Sequence, residues 1–427
     1  MKQFMHCTFP RVSNWSVPMG LLLVGCVASR ISDDDDGAKN GASTSTGSGG
    51  SAASSSGSGG SGGETESAAE STTTGTSTGS GGSDIFDPPF MLGADISSVQ
   101  ELNVEFIDTD GRSKSIFELL KSHGFNTIRL RTFVDPHAEY GYASRANGCA
   151  GFDEPYGDRD HVVAFGKQIK QAGMGFLLNF HYSDVWADPG NQIIPEAWRD
   201  ADSIEALAQL MKEYTIDVVS TAIAAGARPD IVQVGNEITP GILAHVPGPD
   251  TDCWGNYPVL APIHGSTANW DNLATLLIAG IEGVREVDPT IKIMLHLENT
   301  DDVEGVEWWV DSALSRGVEF DVLGLSCYTT WQGPPAVWEA TFEKLAETYA
   351  ELEFVIAEYN PERTAANLVI KNLPDGRGLG TFIWEPTQSG SWGSALFEPE
   401  SDGLHARPEA FAEFDALLPQ LGLARDQ

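Results

Sequence analysis

Two glutamates in this chain are placed to work on one bond. Glu237 stands in QVGNEITPG (Gln233–Gly241) and Glu358 in FVIAEYNP (Phe354–Pro361), 121 residues apart (358 − 237). Each follows directly on a short apolar run, so each is expected at the C-terminal end of a β-strand. In a parallel α/β barrel, active sites are built at the strand C-termini. Two carboxylates meeting there suit cleavage of a glycosidic bond, one as proton donor and the other as nucleophile or base.

Other polar side chains fall at matching places. In Thr127-Ile-Arg-Leu-Arg131 the two arginines, Arg129 and Arg131, are two residues apart and share one face of a strand. Pointing into a barrel, each needs a carboxylate partner, because an unpaired buried charge is very costly. His181 and Asp184 close one apolar run, Asn236 precedes Glu237, and His296, Tyr328 and Trp384-Glu385 close three more. Folding alone does not require so many polar strand ends. Asp95, Asp184, Glu298 and Glu385 compete with the two glutamates, and each is equally readable as a loop cap or ion-pair partner. Trp186, Trp331 and Trp392 are either sugar-stacking platforms or loop anchors.

The elements that must position these groups alternate along the chain. Apolar runs at 90–95, 126–131, 175–180, 231–236, 291–296, 322–328, 354–357 and 379–384 predict eight strands. Amphipathic stretches at 113–123, 161–172, 201–225, 269–287, 306–316, 337–352 and 408–417 predict helices between and after them. This order points to a closed (β/α)8 barrel, a TIM barrel. An open doubly wound sheet is the alternative, and no strand precedes a glycine-rich phosphate loop to support it.

The barrel occupies 84–427 of the 427 residues. Residues 37–83 are almost entirely Gly, Ser, Thr and Ala with scattered Glu, too poor in apolar side chains to fold, and 27–83 is read as a disordered linker. Residues 1–26 read as an export signal: Lys2 and Arg11 precede the short apolar run Met19–Cys26. Leu23-Val-Gly-Cys26 resembles a lipobox, which makes Cys26 a lipidation site and 27–83 a surface tether; the other reading is an ordinary secretory signal. Both export the protein, the first as an outer-membrane or cell-surface lipoprotein. Cys149 and Cys253 sit in loop-like stretches and are open to pairing in an oxidising compartment, while Cys327 belongs to an apolar strand. A formal net charge of −36 argues against nucleic acid and against anionic membrane surfaces, leaving a lipid anchor as the membrane contact. A neutral ligand and a monomer are expected, with no metal and no cofactor.

Longer motifs resemble one family. LLNFHYSDVWADPGNQ (Leu177–Gln192), NTIRLRTFVDP (Asn126–Pro136), VGNEITPG, FDVLGLSCYTTWQG (Phe320–Gly333) and PDGRGLGTFIWEPT (Pro374–Thr387) resemble glycoside hydrolase family 53, the arabinogalactan endo-β-1,4-galactanases. The resemblance runs from about Phe90 to the C-terminus. It implies a (β/α)8 barrel of the retaining clan that carries its glutamates on strands four and seven. It further implies Glu237 as acid/base, Glu358 as nucleophile, and a neutral β-galactan as substrate. Arg129, Arg131, His181, Asp184, Asn236, His296, Tyr328, Trp331 and Trp384 are the implied substrate-binding residues. Tyr359-Asn360-Pro361 departs from the small residue usual after the nucleophile. The stretch from Glu358 to the next strand is also short, which argues against the loop that carries calcium in some bacterial members. Other neutral β-glycans, such as mannan or β-glucan, remain open as substrates, as does a surface lipoprotein that binds glycan without cutting it.

Overall fold

The computed structural model describes Phe86 and residues 88–425. The export signal, Cys26 and the linker lie outside the described residues. Among those described, eight strands form a closed, wholly parallel barrel: β1 (Met91–Asp95), β2 (Thr127–Thr132), β3 (Gly175–Phe180), β4 (Ile231–Val234), β5 (Lys292–Leu297), β6 (Val322–Cys327), β7 (Glu353–Tyr359) and β8 (Gly378–Trp384). Neighbours in sequence pair in space, and β8 closes the barrel on β1.

Eight helices follow the strands: α1 (Ile116–Ser122), α2 (Arg159–Gln171), α3 (Ile204–Ala225), α4 (Trp270–Val287), α5 (Val303–Leu314), α6 (Pro335–Thr348), α7 (Arg363–Lys371) and α8 (Pro408–Leu421). Their starts are chemically marked. Ser115 and Glu118 form a capping box on α1, and Asp158, Ser203, Asn269 and Asp302 cap α2 to α5. None of these helices is long and apolar enough to cross a membrane.

The strands are apolar on both faces because each is covered twice, by helices outside and by opposite strands inside. Met91, Leu177, Ile231, Met294, Val322, Val355, Ala357 and Phe382 fill the lower barrel interior. Gly93 makes room there: a Cβ on it would lie 2.3 Å from the Phe382 ring. Above this apolar layer, the inward positions turn polar, beginning with Arg129 and Gln233.

Two predicted elements need correction and one helix was missed. The helix expected at 113–123 starts later, because Ser113–Lys114 pairs with Phe106–Ile107 as a short antiparallel ribbon. Strand β4 ends at Val234, since Gly235 turns the chain with φ +86°. Helix α7 was not foreseen. It has no side-chain cap, and its buried face carries Arg363 and Asn367, which break the apolar pattern. Asn367 donates to the Tyr359 hydroxyl at 3.1 Å and accepts from Thr381 at 2.8 Å. Tyr359 therefore faces α7 on the outside of the barrel, which accommodates the bulky residue after Glu358.

Candidate functional site

Backbone irregularities aim both glutamates at the barrel mouth. Within β7, Val355 and Ala357 face the interior while Phe354 and Ile356 pack outward. Strict alternation would send Glu358 outward as well. Instead, Leu325 pairs with Ile356 and Ser326 with Glu358, leaving Ala357 as an extra residue. This bulge turns Glu358 inward, and bulges commonly re-aim side chains beside active sites. Glu237 follows the Gly235 turn and itself has φ +47°, a conformation uncommon for a residue with a side chain. The Ile238 N–H donates to the His296 carbonyl at 2.9 Å, pinning the turn to β5.

The surroundings of the two carboxylates differ. Arg129 Nη1 lies 3.0 Å from Glu358 Oε1, and the Tyr328 hydroxyl donates to Oε2 at 2.9 Å. Glu237 Oε1 accepts from the Ser326 hydroxyl at 2.7 Å and has no cation beside it in the site. Burial and then the Glu358 charge push Glu237 well above the usual carboxylate range, against the pull of Ser326. Burial also raises Glu358, but Arg129 and Tyr328 both oppose it. Differing environments of this kind hold one carboxyl protonated beside one that is ionised.

A buried polar scaffold sets these positions. Arg129 donates through Nε to Gln233 (3.1 Å), through Nη1 to Asp95 (2.9 Å) and through Nη2 to Asn236 Oδ1 (2.7 Å). Asn236 donates to the Ala187 carbonyl at 2.9 Å. His296 bridges Asn236 Oδ1 (3.1 Å) and Ser326 (2.9 Å), so a chain of contacts runs from Arg129 to Glu237. Burial, followed by the nearby arginines, keeps His181 and His296 neutral. Arg131 pairs with Glu385 at 2.8 Å and lies 3.9 Å from the centre of the Trp186 ring.

These groups border a cleft of about 520 Å³, within the size range of small-ligand sites. Trp186, Trp331, Trp384, Trp392 and Tyr328 supply aromatic walls, and Asp188, Asn236, Glu237, Glu298, Gln332 and Glu358 supply polar atoms. A separate cavity of about 250 Å³ opens at the opposite end of the barrel, beside Phe86, Met91 and Lys292. No comparable group of facing carboxylates and aromatics lines it.

Of the sequence-predicted residues, Glu237, Glu358, Asn236, Tyr328, Trp331 and Trp384 line the cleft. Arg129, Arg131, His181 and His296 do not; at 2% exposure or less they stand behind it and orient those that do. Asp184 is a correction. Its two oxygens accept from the backbone N–H groups of Asp135 (2.9 Å) and Glu196 (2.7 Å), so it fastens a loop, and it is buried outside the cleft lining. Asp95 and Glu385 are the ion-pair partners the arginines required. Cys149 and Cys253 are free thiols, with Cys149 Sγ donating to the Cys253 carbonyl at 2.8 Å. Ser326, Gln332 and Asp188 were missed. The signal for Ser326 was its place two residues before Tyr328, hence on the same face. Away from the cleft, Glu400, Asp402 and His405 are the grouping among the described residues whose atoms lie close enough to hold a cation.

Comparison with known proteins agrees with this geometry. The glycosyl hydrolase family 53 model matches residues 91–368. An arabinogalactan endo-β-1,4-galactanase of Humicola insolens is 33% identical over 330 residues, covering 69% of this chain and 88% of that one. An endo-β-1,4-galactanase of Bacillus subtilis is 31% identical over 279 residues, 65% of this chain and 58% of its own length. Among solved structures, the family 53 catalytic domain of Ignisphaera aggregans superposes with TM-score 0.63 at 27% identity, covering 77% of this chain and 96% of that domain. A fungal β-1,4-galactanase gives TM-score 0.60 at 27% identity, over 75% and 98% respectively.

Proposed function

From the premise that the chain belongs to glycosyl hydrolase family 53, and is therefore a glycoside hydrolase, we propose that it is a retaining endo-β-1,4-galactanase acting on galactan or type I arabinogalactan. The observation that carries the assignment of roles is the unequal environment of the two glutamates. Glu358, held by Arg129 and Tyr328, is the ionised nucleophile; Glu237, half-buried and without a cation beside it among the described residues, is the proton donor.

Glu358 attacks the anomeric carbon as Glu237 protonates the departing glycosidic oxygen, which leaves a glycosyl ester on Glu358. Glu237, now ionised, takes a proton from water, and that water releases the sugar with its original configuration. This sequence needs carboxyl groups about 5–5.5 Å apart. Asn236 meets the hydroxyl beside the reacting carbon, and the cleft tryptophans stack on the apolar faces of the sugar rings. The acidic surface disfavours anionic polysaccharides and leaves neutral galactan unopposed. In this reading, residues 1–26 export the enzyme and Cys26 with 27–83 tethers it to the cell surface, a reading supported by the Leu23–Cys26 motif and the composition of 37–83.

The test is incubation of the full chain with galactan, mannan, β-glucan and xylan, followed by chromatography of the products. Galacto-oligosaccharides released from galactan alone are expected. Hydrolysis of mannan with galactan left intact would sink the substrate assignment.

A further inference from the structure

A second cavity adjoins the cleft on one side only. It measures about 330 Å³ and shares Pro189 and Glu298 with the cleft, so the two lie side by side. Its near wall is Thr239 and Pro240, which continue the chain from Glu237. Its far wall is Trp308 on α5, 53% exposed. The edge-to-face contact of Trp308 with Trp270, ring centres 5.6 Å apart at 79°, fixes the indole while much of it stays open.

The polar groups around this cavity suit a neutral, hydroxyl-rich ligand. Glu298, Asn299 and Asp302 line it, and no basic residue does. Carboxylates and amide oxygens accept from sugar hydroxyls and repel anions. The arrangement is also firm. Thr239 donates to Glu298 and lies 3.3 Å from Asn299 Oδ1, while Asp302 caps α5 by accepting from the Gly305 N–H at 3.0 Å. An open indole above a fixed polar floor is what a pyranose needs, since its CH face packs on the ring while its hydroxyls reach outward.

The position also fixes which part of the chain enters. Glu237 delivers its proton to the leaving oxygen, so the departing sugars pass the loop that bears Glu237, and that loop leads into this cavity. We propose that the cavity is a substrate subsite for galactosyl residues on the leaving-group side of the scissile bond, with Trp308 as its stacking platform. The proposal rests on the galactanase reading and extends it to a residue outside the cleft.

The experiment compares wild type, Trp308→Ala and Trp308→Phe as full chains, on galactan and on 4-nitrophenyl β-1,4-galactobioside. The leaving group of the second substrate is one small ring, which spans far less of the leaving-group side than a galactan chain does. For Trp308→Ala, the ratio of kcat/KM on galactan to kcat/KM on the aryl substrate is expected to fall about tenfold, equivalent to about 1.4 kcal/mol. Trp308→Phe, which keeps an aromatic face, is expected to recover most of that ratio. An unchanged ratio in Trp308→Ala overturns the proposal. So does an equal loss on both substrates with a lowered Tm, because Trp308 then only supports the fold. Wild type inert on galactan removes the substrate reading and this proposal together, whereas an active wild type with an unmoved ratio removes this proposal alone.

Discussion

The Ser326 hydroxyl donates to Oε1 of Glu237 across 2.7 Å at the barrel mouth. Two residues further on, Tyr328 donates to Oε2 of Glu358 across 2.9 Å. One strand end thus supplies a neutral donor to each carboxylate, and Arg129 adds its charge to only one of them. The two glutamates share a support yet are not equivalent.

That sharing sets a pH signature. A hydroxyl donating to a carboxylate favours the ionised form and lowers the pKa. Ser326→Ala should therefore raise Glu237 further above the usual range and move the alkaline limb of the kcat/KM profile to higher pH. Tyr328→Phe should raise Glu358 and move the acidic limb upward instead. Each mutation acts mainly on one limb, and both limbs belong to the coupled pair. Rate profiles on galactan, whose leaving oxygen needs the proton, check this; a Ser326→Ala profile displaced to lower pH would contradict the assigned donor.

Arg129 is fully buried and holds Asp95, Glu358, Gln233 and Asn236 at once. Removing one partner of a buried ion pair typically costs about 3–5 kcal/mol, because the other charge is left uncompensated. Arg129→Gln should lower stability by about that amount, measured by urea unfolding at neutral pH. Activity should fall by more than the loss of folded protein explains, since Glu358 loses the cation that keeps it ionised. Lowering the pH should recover part of the stability, as Glu358, which burial already raises, takes up a proton.

Much of this architecture was legible in the sequence. All eight strands lie close to their predicted positions because buried parallel strands are continuous apolar runs between helices, a local property. The inward-facing arginines and their need for carboxylates were legible for the same reason, although Asp95 and Glu385 could be chosen only once the barrel closed. Helix α7 was hidden because Arg363 and Asn367, which bond to their neighbours, interrupt the apolar face made by Ala366, Val369 and Ile370. The β7 bulge was hidden because nothing in Val355–Tyr359 marks the extra residue; it appears only in the pairing with the neighbouring strands β6 and β8. Asp184 was open to two readings because a carboxylate beside a strand end serves a loop as readily as a ligand, and the loop bonds formed only once the barrel closed.

Asp108 reports on stability outside the site. Its burial works against ionisation, but Lys114 and His123 donate to it, as does the Thr109 N–H, and together they hold it well below the usual carboxylate range. His123 also contacts Asp415 at 2.9 Å, tying the end of α1 to α8. A carboxylate depressed in the folded state contributes stability above its unfolded pKa of about 3.9 and loses it as the pH falls toward the folded value. Urea midpoints should therefore decline below about pH 4. Asp108→Asn should lower the midpoint at pH 7 and flatten that acid decline; an unchanged slope would mean that other carboxylates dominate it.

The order of the chemical steps can be read from the stereochemistry of a trapped product. With Glu237→Ala, an aryl galactoside still forms the ester on Glu358, because a phenolate leaves without a proton. The second step then stalls, for no base is left to activate water. Azide needs no base and fits the space vacated by the Glu237 carboxyl, so it attacks the ester from the face opposite Glu358. The expected product is the β-galactosyl azide, with turnover rising as azide is added. Glu358→Ala forms no ester, and azide entering from the vacated nucleophile face gives the α-azide. General acid–base groups typically contribute about 10²–10⁴-fold, and Glu237→Gln should lose on that order on galactan, with a smaller loss on the aryl substrate. An α-azide from Glu237→Ala would instead indicate direct displacement and inversion, and would remove Glu358 from the nucleophile's role.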